Sequence, residues 1–236
     1  MTSAVDACAS AIRSGILRGE LEAGSRLPAE RKLAETFGVN RVTVRSALTQ
    51  LAALGLLRVR HGSGYHVQDF RRVGGLELLP DLIAFAKPSE QADLVNDLLE
   101  IRRELAEVAF RRLGALPKAD IDAIAHAVEA FAGVTSADLD TIAQADVEVV
   151  ATLLEATQSR VLQLCLNPII SVVSRVPELR RALYAKPQTN LFAYRGLVAW
   201  LRLSPPDRPD ASSLFPILES HDAQTVAHLR NTPRTS

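Results

Sequence analysis

The sequence predicts a mainly α protein in two parts: an N-terminal winged helix-turn-helix, built from three helices plus a β-hairpin, and an all-α helical-bundle domain behind it. Three observations lead there. Apolar residues recur at helical three- and four-residue spacing along most of the chain, and the period shortens to two only over residues 57–68. Turn residues divide the first 70 positions into segments too short for anything but a small module. The charge is also uneven, since residues 1–72 hold 11 Lys and Arg against 6 Asp and Glu, while the whole chain balances at 27 of each.

In order, Val5, Cys8, Ala9, Ile12, Ile16 and Leu17 mark a first amphipathic helix that Gly19 ends. "LEAGSRLPAERKLAETFG" supplies a loop and a second helix of about ten residues. Pro28 stands at its first position, Glu30 in its first turn and Gly38 just past its end, with Ala29, Leu33, Ala34 and Phe37 on one face. Asn40 is an N-cap for the third helix, whose stripe is Val44, Ala47, Leu48, Leu51 and Leu54 and which Gly55 closes. Leu57 and Val59 then alternate with Arg58 and Arg60, "HGSG" turns the chain, and Tyr65 and Val67 alternate with His66 and Gln68, which is a hairpin.

We expect the module to occupy residues 1–70 and a linker, containing "RRVGG", residues 71–77. The all-helical domain should span 78–232, with helical periods at 78–86, 91–113, 118–132, 137–157, 159–175, 178–184, 189–203 and 211–230. The proline-rich stretch 204–209 cannot continue a helix. Pro216 is awkward: it kinks a last helix that starts at 210 or 211 but sits harmlessly in the first turn of one capped by Ser213.

Composition narrows the function. With 47% hydrophobic and 23% charged residues the chain is a folded protein rather than a disordered one. No apolar run nears the roughly 18 to 20 residues of a membrane helix, and the N-terminus lacks the pattern of a secretory leader, so a cytoplasmic location without membrane contact is expected. Cys8 and Cys165 lie far apart without metal or redox spacing and are expected to be reduced, packed thiols.

The third helix turns its stripe inward and leaves Arg41, Thr43, Arg45, Ser46 and Thr49 for other surfaces. Arg41 and Arg45 are four apart and share a face near the N-terminus. Arginine there can grip guanine O6 and N7 in a major groove, and threonine can bond phosphate or touch a thymine methyl. An isolated arginine pair is ordinarily a solvated face. This pair sits at the groove-reading end of a helix-turn-helix with a basic hairpin behind it, which favours DNA. At the hairpin tip Gly62 and Gly64 permit a sharp turn and His61 is placed to meet a minor groove or phosphate. His66 falls on the opposite face from Tyr65 and receives no role.

These residues resemble a known family. "GSRLPAERKLAETFGVNRVTVRSALTQLAALGLLRVRHGSGYHV" is similar to the N-terminal pattern of the GntR family of bacterial transcription regulators over residues 5–68. The resemblance implies DNA contacts at Arg31, Asn40, Arg41, Thr43, Arg45, His61 and Gly62, with Val42 making one contact missing or apolar. The helical part resembles the FadR subfamily through "GLELLPDLI", "LLEIRRELAEVAF", "AQADVEVVATLLEATQSRVL" and "ESHDAQTVAHL". Many members of that subfamily hold a divalent metal with one aspartate and three histidines beside a carboxylate effector. Here the resemblance maps the aspartate to Asp146 and the last histidine to His221, but puts Val150 and Arg195 at the other two positions. A valine and a guanidinium cannot ligate, so no metal and no other cofactor is expected. The metal-free acyl-CoA-binding branch is the nearest match, with Arg102 on its ligand-contacting helix.

The implied protein is a homodimeric DNA-binding regulator, a repressor in the family's usual mode. It would recognise double-stranded DNA at a palindromic operator and be controlled by an acyl-CoA or small organic acid at Arg102, Asp146, Arg195 and His221. Arg195 would pair with Asp146 or greet an acidic ligand. A buried structural network at Asp146, Arg195 and His221 is the competing account, and with it a regulator whose helical domain only dimerises. An enzyme using Asp146 and His221 is a remote alternative, because no nucleophile motif, cofactor fingerprint or phosphate loop accompanies them.

Overall fold

The computed structural model describes residues 3–116, 118–204 and 207–231. It divides into two compact units, Met1–Lys87 and Pro88–Ser236.

In the first unit, α1 (Ala4–Leu17) is capped by Ser3, whose hydroxyl accepts the Asp6 N–H at 3.1 Å. α2 (Glu30–Phe37) starts two residues beyond Pro28 because Ala29 is still extended, and Gly38 closes it at φ 63°, a left-handed conformation that costs a glycine little. α3 (Arg41–Ala53) is capped by Asn40, whose side-chain oxygen accepts the Thr43 N–H at 2.8 Å. The hairpin of β1 (Leu57–Arg60) and β2 (Gly64–Val67) pairs Leu57 with Val67 and Val59 with Tyr65. Val44, Ala47, Leu48 and Leu51 of α3 are fully buried among Ile12 and Ile16 of α1, Leu33 and Ala34 of α2, and Leu56, Leu57 and Val67.

The wing has a third backbone partner that alternation did not reveal. Gly24 N–H donates to the Val67 carbonyl, Val67 N–H to Ser25 and Leu27 N–H to Tyr65, each at 2.9 Å. The segment before α2 thus lines the hairpin edge and saturates groups that an edge strand would leave bare.

The expected boundary at 70–77 falls later. Residues 70–73 form α4 (Phe70–Val73), a 3-10 turn covers Leu76–Leu78, and α5 (Leu79–Phe85) follows. Leu78 is buried in the first unit's core, and Asp81 of α5 pairs with Arg13 of α1 at 2.9 Å. The stretch taken for a linker is therefore folded, and residues 78–87 belong to the first unit rather than to the helical domain.

The second unit contains α6 (Pro88–Leu113), α7 (Lys118–Ala132), α8 (Leu139–Ala156), α9 (Arg160–Arg175), α10 (Pro177–Leu183), α11 (Pro187–Arg202) and α12 (Phe215–Asn231). α7 packs on α8 and α11, and α6 packs on α12. Leu113, Ile124, Phe131, Val149 and Leu201 form the tightest part of the core. The last helical period is split: a 3-10 turn, Ala211–Leu214, capped by Asp210, precedes α12, which leaves Pro216 in the first turn, where its missing N–H costs nothing. The expected break at Pro117, part of the loop at 204–209 (residues 205 and 206), and the domain end at 232 lie outside the described residues.

Candidate nucleic-acid interface and effector cavity

The N-terminal half of α3 presents Arg41, Val42 and Arg45 to solvent, with Thr43 half-buried between them. Arg45 is held bidentately by Glu30 at the start of α2, Nε to Oε1 at 3.1 Å and Nη2 to Oε2 at 2.8 Å. Arg41 Nη2 lies 4.0 Å from the same Oε2. The hydrogen bond from Arg45 holds the Glu30 carboxyl below the usual range, so the anchor stays ionised. Sequence reasoning saw Glu30 only as a first-turn charge. Its grip on a side chain fifteen residues away exists because α2 and α3 cross, which no local pattern reports.

The remaining expected contacts divide. Arg31 points outward, paired with Glu35 at 2.9 Å. Asn40 commits its side-chain oxygen to the cap, which leaves its amide nitrogen as the donor for another partner. His61 and Gly62 are exposed at the wing tip, where Gly62 has φ 73° and the Ser63 N–H closes the turn on the Arg60 carbonyl at 2.9 Å. His66, to which no role was assigned, is buried: its ring lies 3.0 Å from Ser63 Oγ and 3.4 Å from the Gly24 carbonyl, bracing the wing against the preceding segment. Val42, 75% exposed, sets a bare apolar group among the arginines.

The helical unit encloses a cavity of about 180 Å³ between α6, α8, α9, α10, α11 and α12. Among the described residues, Arg102, Asp146, Tyr184 and Tyr194 are the only lining residues with polar side chains; the rest are Leu, Ile, Val, Ala and Phe. Asp146 on α8 accepts the Tyr184 hydroxyl at 2.9 Å on one oxygen and the Tyr194 hydroxyl at 2.8 Å on the other. Burial pushes its carboxyl up, against the opposing pull of these hydrogen bonds and of the Arg102 charge, and pushes both tyrosines well above their ordinary value. Arg102 on α6 donates to Asp222 Oδ1 at 2.6 Å while Arg103 donates to Oδ2 at 2.7 Å. The Arg102 Nε is buried with no hydrogen-bond partner.

Two of the expected site residues, Arg195 and His221, lie off the cavity wall. Arg195 does not meet Asp146; it turns to the surface, bidentate to Glu129 at 3.1 and 2.9 Å, and its neighbour Tyr194 enters the cavity. His221 does not line the cavity; burial holds its imidazole below the ordinary value, while its neighbour Asp222 clamps Arg102. Asp146 and His221 therefore do not form a hydrogen-bonded acid–base pair. Both Asp146 oxygens face hydroxyls, Val150 lines the wall as an apolar side chain, and among the described residues no three His, Cys, Asp or Glu come together. That donor set does not fit a divalent cation.

Comparison with known proteins places both parts. Residues 5–67 match the model of the bacterial regulatory proteins of the gntR family, and residues 97–208 match the FCD domain. An HTH-type transcriptional regulator of Mycobacterium tuberculosis is 44% identical over 105 residues, 43% of each chain. A fatty acid metabolism regulator protein of Shewanella pealeana is 39% identical over 109 residues, 45% of this chain and 44% of that one. The chain thus spans less than half the length of either relative in these matches. A solved structure of Lar, described as controlling expression of the Listeria monocytogenes agr system, shares the fold: TM-score 0.60 over 99% of both chains at 14% identity. Both matched domains are regulatory rather than enzymatic.

Proposed function

From the premise that the chain belongs to the gntR family of regulatory proteins and is of the FadR type, with an FCD domain behind its DNA-binding module, we propose that it is a homodimeric repressor released from its operator by an acidic effector with a long apolar body. The observation that carries the effector half is the cavity, whose walls are apolar except at Arg102, Asp146, Tyr184 and Tyr194. An acyl chain fits such walls, and Arg102 offers its unpartnered Nε to an acid or acyl carbonyl at the head. No metal takes part; the arginine supplies the positive charge. The name of the Shewanella relative points toward the same ligand chemistry.

On the DNA side, Arg41 and Arg45 read guanine edges, with Glu30 setting the plane of Arg45, while Val42 meets a thymine methyl and His61 and Gly62 follow the backbone. One module reaches useful specificity only when a second reads a repeated half-site, hence a dimer and a palindromic operator. The effector acts by binding the DNA-competent and DNA-incompetent arrangements unequally, since equal binding shifts no population. Among the described residues no helix is long and apolar enough to cross a membrane, in keeping with a cytoplasmic regulator.

Native mass spectrometry of the full chain with and without the DNA upstream of its own gene, followed by displacement with dodecanoyl-CoA, tests this. A dimer released from that DNA by the ligand is expected. A dimer that holds DNA but ignores dodecanoyl-CoA, dodecanoate and short organic acids alike would leave the helical domain a dimerisation device only.

A further inference from the structure

Asp146 and Arg102 face one cavity with spare hydrogen-bonding capacity of opposite kinds. An ionised carboxylate offers about four acceptor positions, and Tyr184 and Tyr194 fill one on each oxygen. Apart from Arg102, the lining side chains supply no other donor. Arg102 spends a terminal nitrogen on Asp222 and keeps a buried Nε–H without an acceptor. A plain fatty chain with an acidic head would satisfy Arg102 and leave Asp146 against hydrocarbon, a costly place for a carboxyl group.

Building on the effector reading above, we propose that the effector carries a hydroxyl group on its apolar chain that hydrogen-bonds Asp146 between Tyr184 and Tyr194, making the ligand class hydroxylated fatty acids or their acyl esters. The choice of a hydroxyl follows from the donors and acceptors present. Both tyrosine hydrogens are already committed to Asp146, so a ligand carbonyl finds no donor there when the carboxyl is ionised. An ammonium would meet the carboxylate but would have to shed its water among aliphatic walls. A hydroxyl donates to the carboxylate and accepts from the protonated acid, so it pairs with Asp146 in either state. The same two tyrosines orient the carboxyl, which makes them positioning residues for the ligand's hydroxyl and predicts that losing one weakens discrimination more than affinity.

Isothermal titration calorimetry of the full chain with dodecanoate, β-hydroxydodecanoate and ω-hydroxydodecanoate tests the proposal. At least one hydroxylated probe should bind about tenfold or more tightly than dodecanoate, as expected for a hydrogen bond to a buried ionisable group. Asp146→Leu should bring the three affinities together while retaining dodecanoate binding, and Tyr194→Phe should narrow the gap. Equal affinities for all three in the unaltered protein overturn the hydroxyl proposal and leave the apolar-acid reading standing. Absence of binding by all three and by their CoA esters overturns both. Because the first comparison needs no substitution, misfolding of a variant does not blunt it.

Discussion

Asp222→Asn should unfold the helical unit more readily than its single-atom change suggests. The carboxylate is 3% exposed and receives Arg102 at 2.6 Å and Arg103 at 2.7 Å, whose side chains are 30% and 23% exposed. Two charge-assisted hydrogen bonds at about 1.5–3 kcal/mol each set a gross loss of about 3–6 kcal/mol. Against it stands rehydration of two guanidiniums that already touch water, which screens the pair and recovers part of that sum. The amide also turns one N–H group toward a guanidinium, which cannot accept it. A net loss of about 2–4 kcal/mol results, smaller than for a wholly buried pair broken on one side. Trp200, the sole tryptophan, is buried in this unit and donates to the Pro209 carbonyl at 2.8 Å, so its fluorescence through a urea titration reports the unit's unfolding. In thermal melts the shift should be about 2–4 °C per kcal/mol for a unit of this size. A loss below about 1 kcal/mol would refute the argument, because the arginines would then be as well solvated without their carboxylate as with it. Leu or Ala at 222 would mix packing into the answer, which is why the isosteric change is the informative one.

Arg45→Ala should lower operator affinity by about tenfold or more while leaving circular dichroism unchanged; fluorescence anisotropy that shows equal binding would remove α3 from the reading surface. Glu30→Gln should raise affinity for unrelated DNA and shrink the ratio of operator to unrelated binding, measured across a salt series, since it frees two arginines and deletes a charge that repels phosphate. Leu78→Ala should cost the N-terminal unit about 2–5 kcal/mol and speed hydrogen exchange in α1 and α3; exchange confined to the helical unit would return residue 78 to that domain. For Asp146 burial raises the folded-state value, so between about 3.9 and that value the folded chain holds more protons than the unfolded one. Its contribution is therefore complete at low pH and fades as pH rises through the raised value. The stability difference between the protein and Asp146→Asn should drift with pH over that window, and a difference constant from pH 4 to 9 would count against the buried carboxyl.

Much of the N-terminal module was legible because its signals are local. Gly38, Asn40 and Gly55 act on the backbone within one turn of their own positions, and the stripe on α3 needs only helical spacing to be seen. Arg41 and Arg45 followed from that stripe, being what remains on the outside. The helical domain yielded its helices for the same reason but surrendered its site only partly. One residue along a helix is a rotation of about 100°, so Tyr194 lines the cavity while its neighbour Arg195 reaches Glu129 at the surface. His221 and Asp222 part in the same way, Asp222 clamping Arg102 while the buried His221 lies off the cavity wall. Tyrosine at 194 carried a faint signal, since a hydroxylated aromatic in an apolar helix wants a partner when buried. Asp222 carried none.

The sequence by itself determined the order of the elements, the winged module, and the third helix with Arg41 and Arg45 left outside its apolar stripe. Only the tertiary structure decided that residues 70–87 complete the first unit, that segment 24–27 and His66 brace the wing, that Glu30 holds Arg45, and that Asp146 answers to two tyrosines instead of an arginine. The physical reason is one of range. Caps, turns and periodicity are written within a few residues, whereas the rotation of each helix about its axis is set by packing against helices far along the chain, and that rotation chooses which side chains meet.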